Sequence, residues 1–217
     1  MNLINYLKRL TKPCGRLSLL LKLKEDVNIL DVGCGNESVY KVKKILPNCI
    51  YHGVDVTKPT FEELKKIDKF HLSNSKNFSN TIKRIKVKYD CVISNHNLEH
   101  CYDWHDTFHS IVNKVKENGY IYLAFPSKES ITFPSRRGTL NFYDDPTHIN
   151  QIDPIHIINT LKYKKFELLI FKKNYKPFII FLIGLILEPF SRLFKKVLFG
   201  TWEFYGFETI IIARKIK

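Results

Sequence analysis

The sequence lacks the features that mark several classes of protein. Its five cysteines include no C-x-x-C pair, so neither a disulfide framework nor a thiolate metal site is indicated. The nine glycines and nine prolines follow no period, which argues against collagen-like and repeat architectures. Near the N-terminus, the apolar stretch at residues 17–21 is too short for the core of a signal peptide. We therefore expect a reduced, cytoplasmic protein.

Arginine is scarce although the chain is strongly basic. The formal net charge is +14, but only 7 of the 35 basic residues are arginine. Recognition of phosphates and base edges favours the forked guanidinium group over lysine. The charge therefore indicates a general preference for anionic partners, such as a membrane surface or an acidic substrate, and does not favour nucleic acid as a partner.

Apolar runs of strand length alternate with helix-patterned segments along most of the 217 residues. A helix is predicted from Trp104 past Val115 to about Gly119. This alternation predicts a parallel sheet in one sizeable α/β domain. The predicted strands are at residues 28–32, 49–54, 69–72, 89–94, 120–125, 166–171 and 209–213.

The pattern divides the chain into a short N-terminal segment and one domain. Residues 1–26 carry apolar side chains at helical spacing and are predicted to form an amphipathic helical segment. Residues 27–217 form the domain, which contains two irregular parts. One is a polar loop at residues 126–152, a candidate substrate lid, and the other is an apolar and basic insertion at residues 176–200.

The insertion has the most unusual composition in the chain. Residues 178–187 are ten consecutive apolar or glycine residues, too few to span a bilayer as a helix. Basic residues follow, among them Arg192, Lys195 and Lys196. A helix in the core or between two subunits fits this pattern, which leaves a homodimer open. A helix over residues 178–198 on an anionic membrane surface fits it too, and would place the protein at the inner face of the membrane.

A glycine turn after the first strand carries the strongest functional signal. Gly33 and Gly35 let the backbone approach a ligand closely, and the helix that follows favours negative groups at its start. Asp55 ends the second strand, where a carboxylate can accept both hydroxyls of a ribose. Ser38 stands where a dinucleotide fingerprint has its third glycine, and Asp31 suits a cationic ligand. These two residues count against an oxidoreductase that uses NAD(P).

The segment Leu-Asp-Val-Gly-Cys-Gly at residues 30–35, followed by Gly-Val-Asp at residues 53–55, resembles the motifs of class I S-adenosylmethionine-dependent methyltransferases. The resemblance implies a doubly wound, mostly parallel, seven-stranded Rossmann-like sheet with helices on both faces and an antiparallel last strand. It also implies S-adenosylmethionine as the cofactor.

Matching positions in that family imply which residues bind the cofactor. The ribose would be held by Asp55. The adenine site falls at Asn74, whose amide oxygen can accept a hydrogen bond where the family usually has a carboxylate. Residues 36–38 lack the further glycine that most members have, which implies an altered approach to the methionine carboxylate. The amino acid part of the cofactor would be lined by Asp31, Gly33, Cys34 and Gly35.

The segment at residues 89–100 resembles the strand-four signature of the same family, in the subgroup whose motif ends in Leu-Glu-His. The resemblance implies that Asn95 and His96 face the methyl group and the methionine part of the cofactor. His96, Glu99 and His100 also match the H-x-x-E-H pattern of a group of zinc peptidases. That pattern lies within a helix, whereas here it follows an apolar strand with no convincing third ligand downstream, so we predict no metal site.

The polar loop supplies the candidate catalytic and substrate-binding residues. Asp145-Pro-Thr-His148 resembles a D-x-x-H element found in methyltransferases that often act on sugars or polysaccharide precursors. Because histidine exchanges protons readily near neutral pH, His148 is the predicted general base for a hydroxyl acceptor, with His100 as a second candidate. The residues predicted to bind the substrate are Arg136, Arg137, Asn141, Tyr143 and Asp145.

Together these patterns predict a methyltransferase that transfers a methyl group from S-adenosylmethionine to oxygen or nitrogen of a small-molecule or carbohydrate acceptor. The alternatives are the NAD(P)-dependent oxidoreductase and a non-catalytic methyltransferase-like module bound to an anionic membrane surface. A nucleic-acid methyltransferase is disfavoured because residues 95–98 read Asn-His-Asn-Leu, where base-amino methyltransferases commonly have Asn-Pro-Pro-Tyr.

Overall fold

The computed structural model describes residues 11–217, and seven strands in this part of the chain form one sheet. The strands are β1 (Asn28–Val32), β2 (Ile50–Asp55), β3 (Lys69–Leu72), β4 (Tyr89–Asn95), β5 (Val115–Pro126), β6 (Phe166–Lys172) and β7 (Glu208–Lys215). They lie in the order β3-β2-β1-β4-β5-β7-β6. β7 runs antiparallel to both of its neighbours, whereas the other pairs are parallel. The predicted Rossmann-like α/β fold with an antiparallel last strand is confirmed.

Helices cover both faces of this sheet, and short 3₁₀ turns interrupt its connections. The helices are α1 (Arg16–Leu20), α2 (Ser38–Lys43), α3 (Phe61–Leu64), α4 (Phe78–Arg84), α5 (Trp104–Asn113), α6 (Pro154–Tyr163), α7 (Phe178–Leu193) and α8 (Thr201–Tyr205). The 3₁₀ turns are Leu98–His100, Lys128–Thr132 and Phe142–Asp144. The first ten residues of the N-terminal segment predicted at 1–26 lie outside the described residues; its described part contains α1.

Alternating strand residues fill a hydrophobic core on each face of the sheet. In β1, Leu30 and Val32 pack into the core that also contains side chains of α4, α5 and α6. Ile29 packs on the opposite face, into the core that contains Leu20 of α1 and Val42 of α2. This alternation follows from the two-residue period of a strand whose faces are both covered.

The strand order places a topological switch point between β1 and β4. The chain builds β1, β2 and β3 toward one edge, then returns to place β4 and β5 on the other side of β1. Ligands of open α/β sheets bind outside the carboxyl ends of the strands at such a point. The glycine turn after β1 and the Leu98–His100 turn after β4 therefore meet where a binding site is expected.

The prediction that the helix before β5 extends past Val115 to about Gly119 was wrong. α5 ends at Asn113, and Val115 pairs with Tyr89 of β4 before the register shifts and Cys91 pairs with Tyr120. The apolar spacing of Val115 fits a helix face, but its buried partner is a strand residue. Asn118, with φ of 61°, lets the chain turn back into the sheet.

The apolar and basic insertion forms α7, which packs tightly against α8, the helix that follows the insertion. A Cβ atom added to Gly184 of α7 would lie 2.1 Å from the carbonyl oxygen of Gly200, so glycine is required for this approach of two backbones. Ile180, Gly184 and Ser191 are the buried residues of α7. The rest of the helix is at least partly exposed, which leaves much of its apolar surface without a cover in the described part of the chain.

Candidate active site

Three cavities surround the carboxyl ends of β1, β2 and β4. The main cavity has a volume of about 560 Å³, within the usual range for small-molecule sites. A side pocket of about 210 Å³ shares His96 and His100 with it, and a rear cavity of about 500 Å³ lies beside Asn95 and Glu208. The main cavity is lined by Gly33, Gly35, Asp55, Val56, Ser75, Phe78, His96, Asn97, His100, Cys101, Tyr102, Thr147 and Ile149. The side pocket is completed by Gly138, Thr139, Asp145, His148, Trp202 and Phe207.

The glycine turn forms one wall of the main cavity. The backbone nitrogens of Gly33 and Cys34 donate to the carbonyl of Val54, at 2.8 and 3.3 Å, which ties the turn to the end of β2. Gly33 has φ of 73°, and a Cβ atom there would lie 2.5 Å from the side chain of Asn97. Gly35 has φ of 52° with open space beside it. The turn therefore needs glycine for its conformation, and at Gly35 the bare backbone faces the cavity.

Asp55 is fixed at the end of β2 by two backbone donors. Its Oδ2 accepts from the nitrogen of Gly35 at 2.7 Å, and its Oδ1 accepts from the nitrogen of Thr57 at 2.9 Å. Each carboxylate oxygen has a further lone pair. A buried carboxylate held in this way can accept two adjacent hydroxyl groups from a ligand in the cavity.

Asp31 lies beneath the turn and is fully buried. Its Oδ2 accepts hydrogen bonds from the hydroxyls of Ser38 and Tyr51 and lies 3.5 Å from a guanidinium nitrogen of Arg16. Burial and the charge of Asp31 raise the pKa of Tyr51 well above its ordinary value, so Tyr51 is a neutral donor. Oδ1 of Asp31 has no hydrogen-bond partner among residues 11–217. Ser38, which replaces the third glycine, thus serves to hold Asp31.

Cys34 packs below the turn as a thiol. Burial, with the charges of Asp31 and Asp55, raises its pKa, which keeps it protonated and excludes a nucleophilic role near neutral pH. A Cβ atom on Gly53 would lie 2.9 Å from its sulfur, so β2 passes close beneath it. Cys34 is buried and does not line the main cavity, so it supports the turn from the core side.

Asn74, the residue predicted at the adenine, points along its own loop. Its side-chain oxygen accepts from the backbone nitrogen of Lys76 at 3.1 Å, and the residue is exposed. The main cavity is lined near this loop by Ser75 and by Phe78, the first residue of α4. Tyr102, just after the Leu98–His100 turn, lines it as well. Sequence reasoning missed these residues because none belongs to a recognisable motif.

His96 joins the two halves of the site. It has φ of 50°, and its ring nitrogens lie 3.1 Å from a carboxylate oxygen of Glu99 and 2.9 Å from one of Glu208. Burial acts to lower the pKa of His96, but the bonds to Glu208 and Glu99 outweigh it and raise the pKa to about 10. Because both partners are acceptors, the ring is an imidazolium ion that donates from both nitrogens.

The charge network extends behind His96 to the N-terminal part of the chain. Burial acts to raise the pKa of Glu208, but His96 and Lys12 lower it to about 2. The ammonium of Lys12 pairs with Glu203 and lies 3.5 Å from Glu208. Asn95, predicted to face the cofactor, lines the rear cavity beside Glu208 instead of the main cavity.

His100 and His148 face each other with ring centroids 4.7 Å apart, where the main cavity meets the side pocket. Nδ1 of His100 lies 3.2 Å from the carbonyl of Thr147, and Nδ1 of His148 lies 2.7 Å from the carbonyl of Phe142. A carbonyl oxygen only accepts, so Nδ1 of each ring carries a proton and donates, and Nε2 of each ring has no backbone contact. The structure therefore brings the two predicted catalytic histidines together.

Asp145 explains how the D-x-x-H element positions His148. Its carboxylate accepts from the backbone nitrogen and the hydroxyl of Thr147, which closes a tight turn. Burial acts to raise the pKa of Asp145, but these bonds outweigh it and lower the pKa. The backbone nitrogens of Ile149 and Asn150 donate to the carbonyl of Glu99, which docks the end of the loop onto the turn after β4.

Several loop residues predicted to bind substrate make contacts within the protein. Arg136 is buried and forms a bidentate pair with Glu188 of α7, at 2.7 and 2.6 Å. The side-chain amide of Asn141 donates to two backbone carbonyls of the loop, and its oxygen accepts from Tyr143. Arg137 and Tyr143 are exposed and do not line the main cavity or the side pocket. Of this set, Asp145 lines the side pocket.

Two aromatic residues of the side pocket come from the end of the chain. The rings of Trp202 and Phe207 stack with centroids 4.6 Å apart, and the indole of Trp202 lies 5.3 Å from the ring of His96. The indole nitrogen donates to the carbonyl of Thr139 at 2.7 Å, which fixes the plane of the ring. Sequence reasoning missed both residues because they lie outside the motifs and more than 50 residues beyond His148.

The fold and the cavity at the switch point define a Rossmann-like protein of the class that binds a nucleoside cofactor. Residues 6–167 match a family described as a methyltransferase domain. The chain belongs to this family and is an enzyme, a methyltransferase that uses S-adenosylmethionine. No curated protein is similar enough in sequence to match the chain.

Solved structures of methyltransferases share the fold. An S-adenosylmethionine-dependent methyltransferase from Archaeoglobus fulgidus is 20% identical, with a TM-score of 0.52 over 97% of this chain and 99% of that one. One from Mesorhizobium loti is 13% identical, with a TM-score of 0.58 over 92% of this chain and 97% of that one. A chain of the complex between the Trm112 methyltransferase activator of Haloferax volcanii and a methyltransferase is 12% identical, with a TM-score of 0.60 over 99% and 92%.

The ion pair between Arg136 and Glu188 yields a test of whether Arg136 is structural. Arg136→Met should lower the free energy of unfolding by about 1–3 kcal/mol, because it leaves a largely buried carboxylate without its partner. Burial acts to raise the pKa of Glu188, but Arg136 outweighs it and holds the pKa below the ordinary value. The stabilisation is therefore present above the ordinary pKa of 4.5 and lost as the pH falls through the lowered value.

Urea denaturation at pH 7 and at pH 3 would measure this effect. Arg137→Met, at the exposed neighbouring position, is the matched control and should change stability by less than about 0.5 kcal/mol. Equal stability of the two variants at pH 7 would show that the pair does not stabilise the loop.

Proposed function

We propose that the enzyme methylates a hydroxyl group of a small, ring-shaped acceptor of the carbohydrate class, bound in the side pocket. The observation that carries this proposal is the sharing of His96 and His100 between the side pocket and the main cavity. A hydroxyl in the pocket would thus lie next to a methyl group held in the cavity. Trp202, whose ring stacks on the buried Phe207, offers an apolar surface in a pocket that the carboxylate of Asp145 also lines, and a sugar ring has matching apolar faces and polar edges.

The residues around the main cavity fit S-adenosylmethionine. We infer that Asp55 accepts the two ribose hydroxyls, and that Gly33 and Gly35 leave room for the amino acid part against the bare backbone. Oδ1 of Asp31, close to this turn, is a buried acceptor without a partner in the described part of the chain. The negative charge of this carboxylate suits a cationic group of the cofactor. Phe78 and Tyr102 supply the apolar surface on which a purine can pack. Asn74 would reach the adenine only after giving up its bond to Lys76.

The proposed reaction is an in-line displacement. When bound, the cofactor supplies a methyl group activated by a sulfonium. The acceptor oxygen bonds to the methyl carbon, the carbon–sulfur bond breaks with its electron pair going to sulfur, and the hydroxyl proton passes to a nearby base or to water. His100 and His148, which both line the side pocket, are the groups proposed to act on the acceptor hydroxyl. The position of His100, which lines both cavities, supports membership of the Leu-Glu-His subgroup.

The cofactor assignment predicts the effect of removing the carboxylate of Asp55. Asp55→Ala should weaken binding of S-adenosylhomocysteine at least tenfold, about 1.4 kcal/mol, because two hydrogen bonds to the ribose are lost. Isothermal titration calorimetry would measure the affinity. The control Asp106→Ala removes an exposed carboxylate on α5 and should leave the affinity unchanged. Equal affinities for the two variants would remove Asp55 from the site.

The acceptor assignment predicts which compounds receive the methyl group. Isotope-labelled S-adenosylmethionine, incubated with methyl glycosides, phenols and primary amines, should label the glycosides. Trp202→Ala should raise KM for the labelled acceptor at least tenfold while the affinity for S-adenosylhomocysteine is retained, because the apolar surface of Trp202 lines the side pocket. Tyr163→Ala, an exposed aromatic at the end of α6, is the control. Labelling confined to amines, or a normal KM for Trp202→Ala, would contradict the assignment.

We also propose that the enzyme binds an anionic membrane surface through the exposed face of α7 and the segment that follows it. Within residues 11–217, no helix has the length and apolar character to cross a membrane. Phe178 and Leu193, at the two ends of α7, have 74% and 73% of their area exposed. The exposed apolar residues of this surface are Phe178, Ile179, Leu182, Leu185, Ile186, Phe190, Leu193, Phe194 and Phe199.

Charge complementarity favours an anionic lipid surface as the occupant. Arg192, Lys195 and Lys196 lie at the end of the apolar face, and Glu188, the single acid in the sequence of α7, is paired with Arg136. An exposed apolar stripe flanked by cations is typical of helices that lie in the lipid interface.

The membrane proposal predicts flotation with vesicles that contain phosphatidylglycerol. Wild-type protein should float with them and remain below with pure phosphatidylcholine. The double variant Ile186→Glu with Leu193→Glu should lose flotation, because it places two carboxylates on the apolar face. The control Leu72→Glu with Val87→Glu changes exposed apolar residues elsewhere and should float. Unchanged flotation of the α7 variant would contradict the proposal. So would a wild-type protein that does not bind lipid but forms a dimer, measured by light scattering, that the α7 variant does not form.

A further inference from the structure

Three potential metal ligands meet between the main cavity and the side pocket. One ligand atom from each of Glu99, His100 and His148 lies within 4.8 Å of the others. Glu99 and His100 belong to the turn after β4, whereas His148 comes from the loop that docks onto that turn. The fold thus assembles a carboxylate and two imidazoles from residues 48 positions apart in the chain.

Glu99 carries the second, independent observation. The residue is fully buried, and its Oε1 accepts from His96 at 3.1 Å. Its Oε2 is also buried and has no hydrogen-bond partner among the described residues. Leaving a carboxylate oxygen desolvated and unpaired costs free energy unless a ligand satisfies it. Oε2 is therefore an acceptor in need of a cation.

The two histidines have the hydrogen-bond pattern of metal ligands. Metal-binding imidazoles commonly donate their second ring N–H to a carbonyl or carboxylate, which fixes the tautomer and the ring orientation. Here Nδ1 of His100 faces the carbonyl of Thr147, and Nδ1 of His148 faces that of Phe142. The Nε2 atom of each ring has no backbone contact and is left to face a ligand. Both nitrogens of His96, by contrast, already contact carboxylates.

The charges around the cluster favour a cation. Glu99, Glu203 and Glu208 are buried carboxylates, and Lys12, which pairs with Glu203 and Glu208, has 36% of its side chain exposed. Among the described residues, no lysine or arginine pairs with Glu99. A divalent ion would place positive charge beside this carboxylate.

We propose that Glu99, His100 and His148 bind a divalent first-row transition-metal ion. One carboxylate and two imidazoles leave coordination positions open, as in catalytic zinc sites and other sites with two histidines and one carboxylate. Metal–ligand bonds of about 2.1 Å place neighbouring ligand atoms about 3.0–3.4 Å apart, so the three atoms, now within 4.8 Å of one another, would have to close. His148 can supply this movement because it lies on a loop. The peptidase pattern remains excluded, since its first histidine, His96, is not a ligand.

The role of this ion rests on the proposed function. His100 and His148 line the side pocket, so two adjacent hydroxyls of an acceptor in this pocket could coordinate an ion held by them. A bound hydroxyl loses its proton more readily, and the proton passes to water as the oxygen bonds to the methyl carbon. The expected acceptors are therefore compounds with vicinal hydroxyl groups. In this arrangement His100 and His148 bind the ion, and the ion contacts the hydroxyl.

Metal binding by the full-length protein without cofactor tests the site directly. Titration with Zn²⁺ in the calorimeter should show one ion per chain, and Co²⁺ should give visible d–d absorption. Glu99→Gln and His148→Ala should each weaken binding at least tenfold. His100→Ala provides a third test if either variant does not fold.

Another histidine pair provides the matched control. His105 and His156 lie at the surface with nitrogens 3.2 Å apart and could bind Zn²⁺ adventitiously. The double variant His105→Ala with His156→Ala should retain the affinity and the Co²⁺ spectrum of the wild type. Loss of the ion in this variant, or normal binding by Glu99→Gln, would overturn the proposal.

Titration with S-adenosylhomocysteine separates this proposal from the proposed function. His148→Ala should lose the metal but retain the nucleoside, since Asp55 and the glycine turn are unchanged. A wild-type protein that binds the nucleoside but no Zn²⁺ would overturn the metal site alone. One that binds Zn²⁺ but no nucleoside would overturn the proposed function and leave the metal site standing.

Discussion

The hydrogen bonds from His96 to Glu99 and Glu208 hold the site together. They join the end of β4 to the start of β7, although the partners of the second bond are 112 positions apart in the chain. His96 has a left-handed backbone, and its ring reaches Glu208 although β5 lies between β4 and β7 in the sheet. Removing either carboxylate would leave the buried His96 ring with one hydrogen-bond partner fewer. In a low-dielectric interior this loss would lower the stability of the fold substantially. The geometry of both cavities depends on this arrangement.

The two sides of His96 are built in different ways. On the side of the main cavity, local turns set the geometry, since Gly33, Gly35 and Asp55 lie at the ends of adjacent parallel strands. On the side of the pocket, the walls come from a long loop and from α8, and their positions depend on α7. Arg136 ties the loop to α7, and the contact of Gly184 with Gly200 ties α8 to it. The acceptor pocket and the exposed apolar surface thus belong to one packed unit.

Sequence reasoning succeeded where function depends on local motifs. The alternation of strands and helices predicted the sheet, and a glycine turn followed by a carboxylate after β2 predicted the cavity and the cofactor class. It also selected His100 and His148, which the fold brings to 4.7 Å from each other. These features could be predicted because strand order in parallel sheets brings the carboxyl ends of β1, β2 and β4 together.

The rest depended on contacts between distant parts of the chain. From the sequence, Arg136 was predicted to bind the substrate. The structure pairs it instead with Glu188, which lies 52 residues later in the chain. The sequence argument against a metal found no convincing third ligand downstream, whereas the loop brings His148 within 4.8 Å of Glu99 and His100. Trp202 could not be predicted because it lies outside every motif. Val115 was placed in a helix because its spacing fits a helix and a strand equally well.

A crystal structure of the protein with S-adenosylhomocysteine would test the central claim most directly. The account predicts the nucleoside in the main cavity, with both ribose hydroxyls within hydrogen-bond distance of the carboxylate of Asp55. It also predicts that the sulfur faces the turn that carries Glu99 and His100. Binding in the rear cavity beside Asn95 and Glu208, or a ribose remote from Asp55, would contradict it.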